Sequence, residues 1–123
     1  MSAPPFALVY TDEALHVLDD LAKPAYAAKL KKAKKTLLLL RDVGPGHPGL
    51  NSHKYQSLTG PNGEDVWESY IENTTPGAWR IWWLYGPSPD TLTILTLGPH
   101  PYNLRTTRRT RGETSASDGT DAS

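Results

Sequence analysis

The spacing of apolar residues changes once along the chain. Before residue 43 they recur mostly at helical intervals, and from residue 66 they alternate or run together as strands do. The exception is the start, where residues 6–10 read FALVY, a short β-capable run that predicts a strand. Thr11 or Asp12 then offers an N-cap, and Asp12 and Glu13 suit the positive end of a helix. Leu15, Leu18, Leu21 and Ala22 recur at helical spacing and predict a first helix over 12–22. Pro24 suits the first turn of a second helix over 24–42. There Tyr26, Leu30, Ala33, Leu37 and Leu40 form a narrow apolar stripe among lysines. Gly44, Pro45 and Gly46 end that helix by backbone chemistry.

The second half reads as strands. A long connection over 47–58 includes a short strand near 54–58, and Gly60-Pro61-Asn62-Gly63 is a turn. Strands follow over 66–72, 78–85 and 91–97, with loops at 73–77 and 86–90 rich in Pro, Gly, Asn and Thr. From residue 104 the chain is Arg, Thr, Ser, Gly and Asp with almost nothing apolar, which predicts a disordered tail over 104–123 after a domain over 1–103. Segregated helices and strands indicate an α+β fold. We expect an N-terminal strand and a two-helix hairpin packed on one face of an antiparallel sheet, with the opposite face partly open to solvent or a ligand.

Composition narrows the function classes. The formal net charge is zero, which argues against a protein that coats nucleic acid through bulk charge. The charge is uneven, however. Lys29, Lys31, Lys32, Lys34 and Lys35 form one basic patch, and Arg105, Arg108, Arg109 and Arg111 another, so local phosphate contact stays open. Without cysteine there is no disulfide, thiol catalysis or thiolate metal site. The histidines show no metal-ligand spacing, so neither a metal nor a cofactor is expected. The N-terminal residues lack a signal-peptide pattern and the apolar run 37–40 is too short to span a bilayer. A soluble cytoplasmic protein without a membrane partner is the simple expectation.

Three local features, in their order and spacing, resemble the RelE/ParE superfamily of bacterial type II toxins. The helix hairpin is followed by the basic segment Leu50-Asn51-Ser52-His53-Lys54-Tyr55-Gln56-Ser57-Leu58. The strand Trp67-Glu68-Ser69-Tyr70-Ile71 precedes Trp79-Arg80-Ile81-Trp82-Trp83-Leu84-Tyr85, an aromatic strand followed by one that opens with arginine. Leu97-Gly98-Pro99-His100-Pro101-Tyr102 is similar to a His/Tyr ending after the last strand. The resemblance spans 6–102 and implies a toxin neutralised by a cognate antitoxin. Its RNA-cleaving members cut mRNA, often in the ribosomal A site. For this chain that implies a metal-independent endoribonuclease, an mRNA interferase acting on the ribosome by 2′-OH attack to a 2′,3′-cyclic phosphate. DNA would be reached only indirectly, through the antitoxin complex. The alternatives are a ParE-like, non-enzymatic DNA gyrase inhibitor and a catalytically silent, antitoxin-binding relative. The neutral body, and the prolines flanking His100, depart from the ribonuclease pattern.

Under this resemblance each candidate has a chemical role and a bland alternative. Strand alternation groups Arg80 with Trp82 and Leu84, opposite Ile81, Trp83 and Tyr85. If the second group packs under the helices, Arg80 faces the open side, where a guanidinium can hold a phosphate bidentately. The alternative is an edge salt bridge to Glu68 or Glu72. His100 is a candidate general acid, or else an exposed turn residue. His53, Lys54 and Glu68 are candidate bases, and adjacent His53 and Lys54 point to opposite sides of an extended segment. Tyr102 and an exposed Trp82 are candidates for stacking on a base, Trp82 also for an antitoxin contact. Lys31 and Lys35 belong to a helix face that is either simply solvated or in contact with RNA or an acidic antitoxin segment. His47, in a Gly/Pro loop, reads as structural.

Overall fold

Residues 3–73 and 75–101 are described by the structure, a computed structural model. Strand β1 (Ala7–Tyr10) leads into helix α1 (Asp12–Leu21). A 3-10 turn (Pro24–Tyr26) runs directly into α2 (Ala27–Asp42), and a second one (Pro48–Leu50) precedes β2 (His53–Thr59). Strands β3 (Asp65–Tyr70), β4 (Arg80–Tyr85) and β5 (Thr91–Gly98) complete the described residues. The strands form one five-stranded sheet in the order β1-β5-β4-β3-β2. The meander β2 to β5 is antiparallel, as the alternation and turns predict. The sheet is nonetheless mixed, because β1 pairs parallel with β5 at one edge. A parallel pair needs a long connection, which the helix hairpin and meander together supply.

Local chemistry sets the element ends. The Thr11 hydroxyl accepts the Ala14 N–H at 3.1 Å, capping α1, and donates to the Leu95 carbonyl at 2.7 Å. That second bond lies where β5 carries an extra residue, between the Trp82–Thr96 and Trp83–Ile94 pairs. The inward stripe of α1 is Ala14, Val17, Leu18 and Leu21, whereas Leu15 is 49% exposed. The periodicity points to Leu15 by size, but small Ala14 is the residue that lets the helix approach the sheet. Pro24 begins the 3-10 turn and not α2 itself, and Tyr26 in that turn stays exposed.

Both faces of the sheet are packed. The main core joins Ala14, Leu21, Ala33, Leu37 and Leu40 of the helices to Ile81, Trp83, Leu92, Ile94 and Leu97. A smaller cluster on the other face gathers Leu58, Val66, Trp82, Leu84 and Leu95, with Tyr55 against it. Tyr85, expected under the helices, touches Phe6, Trp67 and Trp83 there but sits at the strand end and is 47% exposed. Among the described residues no helix is long and apolar enough to cross a membrane. Tyr102 and the tail 104–123 lie outside the described residues.

Candidate functional site

Register decides which side chains meet. His53 pairs with Glu68, Glu68 with Trp82, and Tyr70 with Arg80. Directly opposed residues share a face, and so do residues two apart on one strand. His53, Glu68, Tyr70, Arg80 and Trp82 therefore lie together on the face turned away from the helices. The alternation that groups Glu68 with Tyr70 is legible in the sequence, but only the pairing shows that it is the Arg80 face.

Two contacts build a polar cluster there. His53 Nε2 is 2.7 Å from Glu68 Oε1, and His53 Nδ1 is 2.8 Å from the Asn51 carbonyl. The ring meets an oxygen on each side. Glu68 is 12% exposed against 43% for His53, so the carboxylate is the more sheltered partner. The Arg80 guanidinium lies over the Tyr70 ring, Cζ 3.7 Å from its centroid. The His53 ring meets Tyr70 edge-on at 5.8 Å, linking the two contacts. Tyr70 is thus the central residue of the cluster, and the sequence reading overlooked it. Its signal was an aromatic two residues from Glu68 on the strand preceding Arg80.

Arg80 is held by backbone and not by a carboxylate. Its Nη1 donates to the Glu72 carbonyl, and to the Trp79 carbonyl at 3.4 Å. The salt bridge to Glu68 or Glu72 offered as its bland role is absent among the described residues. Each carboxylate is taken elsewhere: Glu68 by His53, and Glu72 by Lys29 at 2.7 Å and Lys32 at 3.1 Å. Glu72 also accepts the Trp79 N–H at 3.1 Å. The hydrogen bond from Lys29 is the largest influence on the Glu72 carboxyl. Desolvation opposes it, but Lys32 and the Trp79 N–H add to it, and the pKa falls to about 2. Glu72 so ties the β3–β4 loop to α2 and fixes the carbonyl that Arg80 grips.

The remaining candidates separate. Trp82 shares the site face but is 1% exposed, closed over by Tyr55, whose ring meets it edge-on at 5.8 Å. This corrects its expected role as an exposed stacking platform, because the smaller apolar cluster fills that part of the face. Lys54 pairs with Trp67 in register, on the helix side, and its Nζ meets Asp65 Oδ1 at 3.3 Å. It is not brought to Glu68 and Arg80, which removes it as a base in this arrangement. His100 lines a groove of about 550 Å³ with Val17, Asp20, Lys23, Lys29 and Trp79, and no member of the cluster lines that groove. The chain turns at Gly98 and Pro99 and carries His100 toward α1. Lys31 is exposed and lines neither groove described here, whereas Lys35 lines a second groove, of about 560 Å³, together with Tyr70. Among the described residues no three His, Asp or Glu side chains gather where they could hold a metal ion.

The fold and the position of the cluster define a class: a small α+β domain with a RelE-like fold, two helices on one face of a five-stranded sheet. The chain is similar to a chain of the archaeal RelE–RelB complex from Pyrococcus horikoshii OT3. That match has a TM-score of 0.54 and 15% identity over 77% of this chain and 94% of the other. The sequence matches no protein-family model and no curated protein.

Proposed function

We propose that this chain is the toxin of a toxin–antitoxin pair and that it cleaves single-stranded RNA, mRNA on the ribosome being the favoured substrate. The observation that carries the reading is the His53–Glu68 contact at 2.7 Å beside the Tyr70–Arg80 stack, on the sheet face the helices leave free. The pair takes the proton of a ribose 2′-OH as that oxygen bonds to the adjacent phosphorus; the P–O5′ bond breaks, and the departing 5′ oxygen takes a proton from water, leaving a 2′,3′-cyclic phosphate and a 5′-OH end. Arg80 holds the charge that builds on the phosphate oxygens. Its Nη1 is engaged, but Nε and Nη2 have no hydrogen-bond partner among the described residues. Tyr70 stacks beneath the guanidinium and keeps it flat against the sheet. The RelE structure of similar fold was solved as a complex with RelB, which supports an antitoxin-type partner for this chain.

The test is cleavage on programmed ribosomes by the purified protein, with circular dichroism as the folding control. Arg80→Ala and Glu68→Gln are each expected to lose about a hundred- to a thousandfold in rate. Arg80→Lys should rescue poorly, because lysine lacks the planar fork. His100→Ala should stay within about tenfold of wild type, since His100 lines the other groove. Wild-type cleavage by folded Arg80→Ala and Glu68→Gln proteins would overturn the mechanism.

Two observations favour a second reading. Arg80 is tied to two carbonyls and the chain is neutral overall, as suits a relative that acts by binding alone. Growth inhibition that survives both substitutions, with loss of DNA supercoiling, assigns the chain to the gyrase-inhibiting branch. No growth effect with retained antitoxin binding assigns it to the silent one.

A further inference from the structure

Tyr70 has a second neighbourhood. Besides carrying Arg80, it lines the 560 Å³ groove together with Lys32, Lys35, His47, Glu72 and Asn73, while Leu39, Leu50 and Ile71 supply apolar wall. The volume falls in the range of small-molecule sites. The charge of this groove is unbalanced. Its one acidic lining residue, Glu72, is already engaged by Lys29, Lys32 and the Trp79 N–H. Lys35 has no ion-pair partner among the described residues. His47 accepts the Gly49 N–H on Nδ1 at 3.0 Å, so the proton of the neutral ring sits on Nε2 as a donor. The Tyr70 hydroxyl likewise has no hydrogen-bond partner among the described residues. Three donors with no acceptor among the described residues, beside apolar wall, suit an anionic group joined to an apolar one.

We propose that this groove is a nucleotide subsite, taking the nucleotide next to the scissile phosphate, with Lys35 and His47 on its phosphate and Tyr70 as the wall shared with the cleavage cluster. The proposal rests on the ribonuclease reading and extends it from one phosphate to a strand path. It gives His47, which the sequence marks only as a loop residue, a ligand-binding role.

The experiment measures binding of a fluorescein-labelled, 2′-O-methylated RNA hexanucleotide, which cannot be cleaved, by fluorescence anisotropy across a KCl series. Lys35→Ala should weaken binding and reduce the slope of log affinity against log salt by about 0.7, one phosphate contact on a single strand. His47→Ala should weaken binding as well. Lys34→Ala, an exposed lysine of the same helix outside the groove, should bind as wild type. Circular dichroism checks that each variant is folded. Wild-type affinity and slope in both Lys35→Ala and His47→Ala overturn the subsite, and so does a wild-type protein that does not bind this RNA. Weakening by Arg80→Ala with none by Lys35→Ala or His47→Ala leaves the cleavage cluster standing and removes only the groove. Weakening by Lys35→Ala with full cleavage in Arg80→Ala and Glu68→Gln keeps the groove and removes the cleavage mechanism.

Discussion

At the residue scale, Glu72 shows how a side chain outside the cluster can govern it. Its carboxylate is 10% exposed and joins two lysines and a backbone N–H, while its own carbonyl receives Arg80. Its folded pKa, about 2, lies below the unfolded value of about 4.3. The stabilisation is therefore fully present above the unfolded pKa and is lost as pH falls through about 2. Glu72→Gln should cost about 1–2 kcal/mol at pH 7, since Lys32 is 57% exposed and an amide retains part of the hydrogen bonding. Urea denaturation from pH 7 to pH 2 should show the difference between wild type and Glu72→Gln shrinking below pH 5. A difference that stays constant over that range would place the stabilising role of Glu72 outside its charge.

At the element scale, β4 sets two tryptophans side by side with opposite demands. Trp83 faces the helix-side core, and its indole N–H donates to Ser69 Oγ at 2.9 Å; Ser69 in turn meets Ser52 Oγ at 2.7 Å. Trp82 faces the smaller cluster, and its indole nitrogen is buried without a hydrogen-bond partner among the described residues. Trp83→Phe loses a made hydrogen bond, worth about 0.5–1.5 kcal/mol net because Ser69 keeps Ser52 as a partner, whereas removing the unpaired Trp82 donor relieves a cost of about 1–3 kcal/mol. Trp83→Phe should therefore destabilise more than Trp82→Phe by about 1–3 kcal/mol. Equal midpoints for the two Phe variants in chemical denaturation would refute this account of the strand.

At the scale of the whole molecule, the sheet divides its labour between faces. The helix side supplies most of the buried apolar area, and the other side holds a smaller apolar cluster next to the polar one. The apolar cluster anchors β2, β3 and β4 at one end while the polar side chains gather at the other. A polar cluster can thus sit on the sheet without depleting the main core. The tail adds little by composition: residues 104–123 contain Leu104 as their one large apolar side chain. Removing 104–123 should leave the melting temperature within about 3 °C of the full chain, because a loss of 1 kcal/mol shifts a domain of this size by about 4–8 °C. A larger fall in calorimetry would show that the tail docks on the domain.

Element types follow from the sequence because they depend on near neighbours. Helical spacing, the Thr11 cap, the Gly/Pro loops and period-two alternation act over a few residues, and they yielded the helix hairpin and the meander. The same alternation correctly put Ile81 and Trp83 beneath the helices. The sequence also named Arg80, His53 and Glu68, residues whose chemistry is legible without coordinates. Partners across the sheet are not local, and the structure alone decided them. Strand register placed His53 on Glu68 and Tyr70 under Arg80, and the parallel return of β1 made the sheet mixed. Burial of Trp82 depends on what Leu58, Val66 and Leu95 do from other strands. His100 depends on the direction the chain takes after Gly98, and His47 gains meaning only from sharing a groove with Tyr70, distant in sequence but adjacent across the fold.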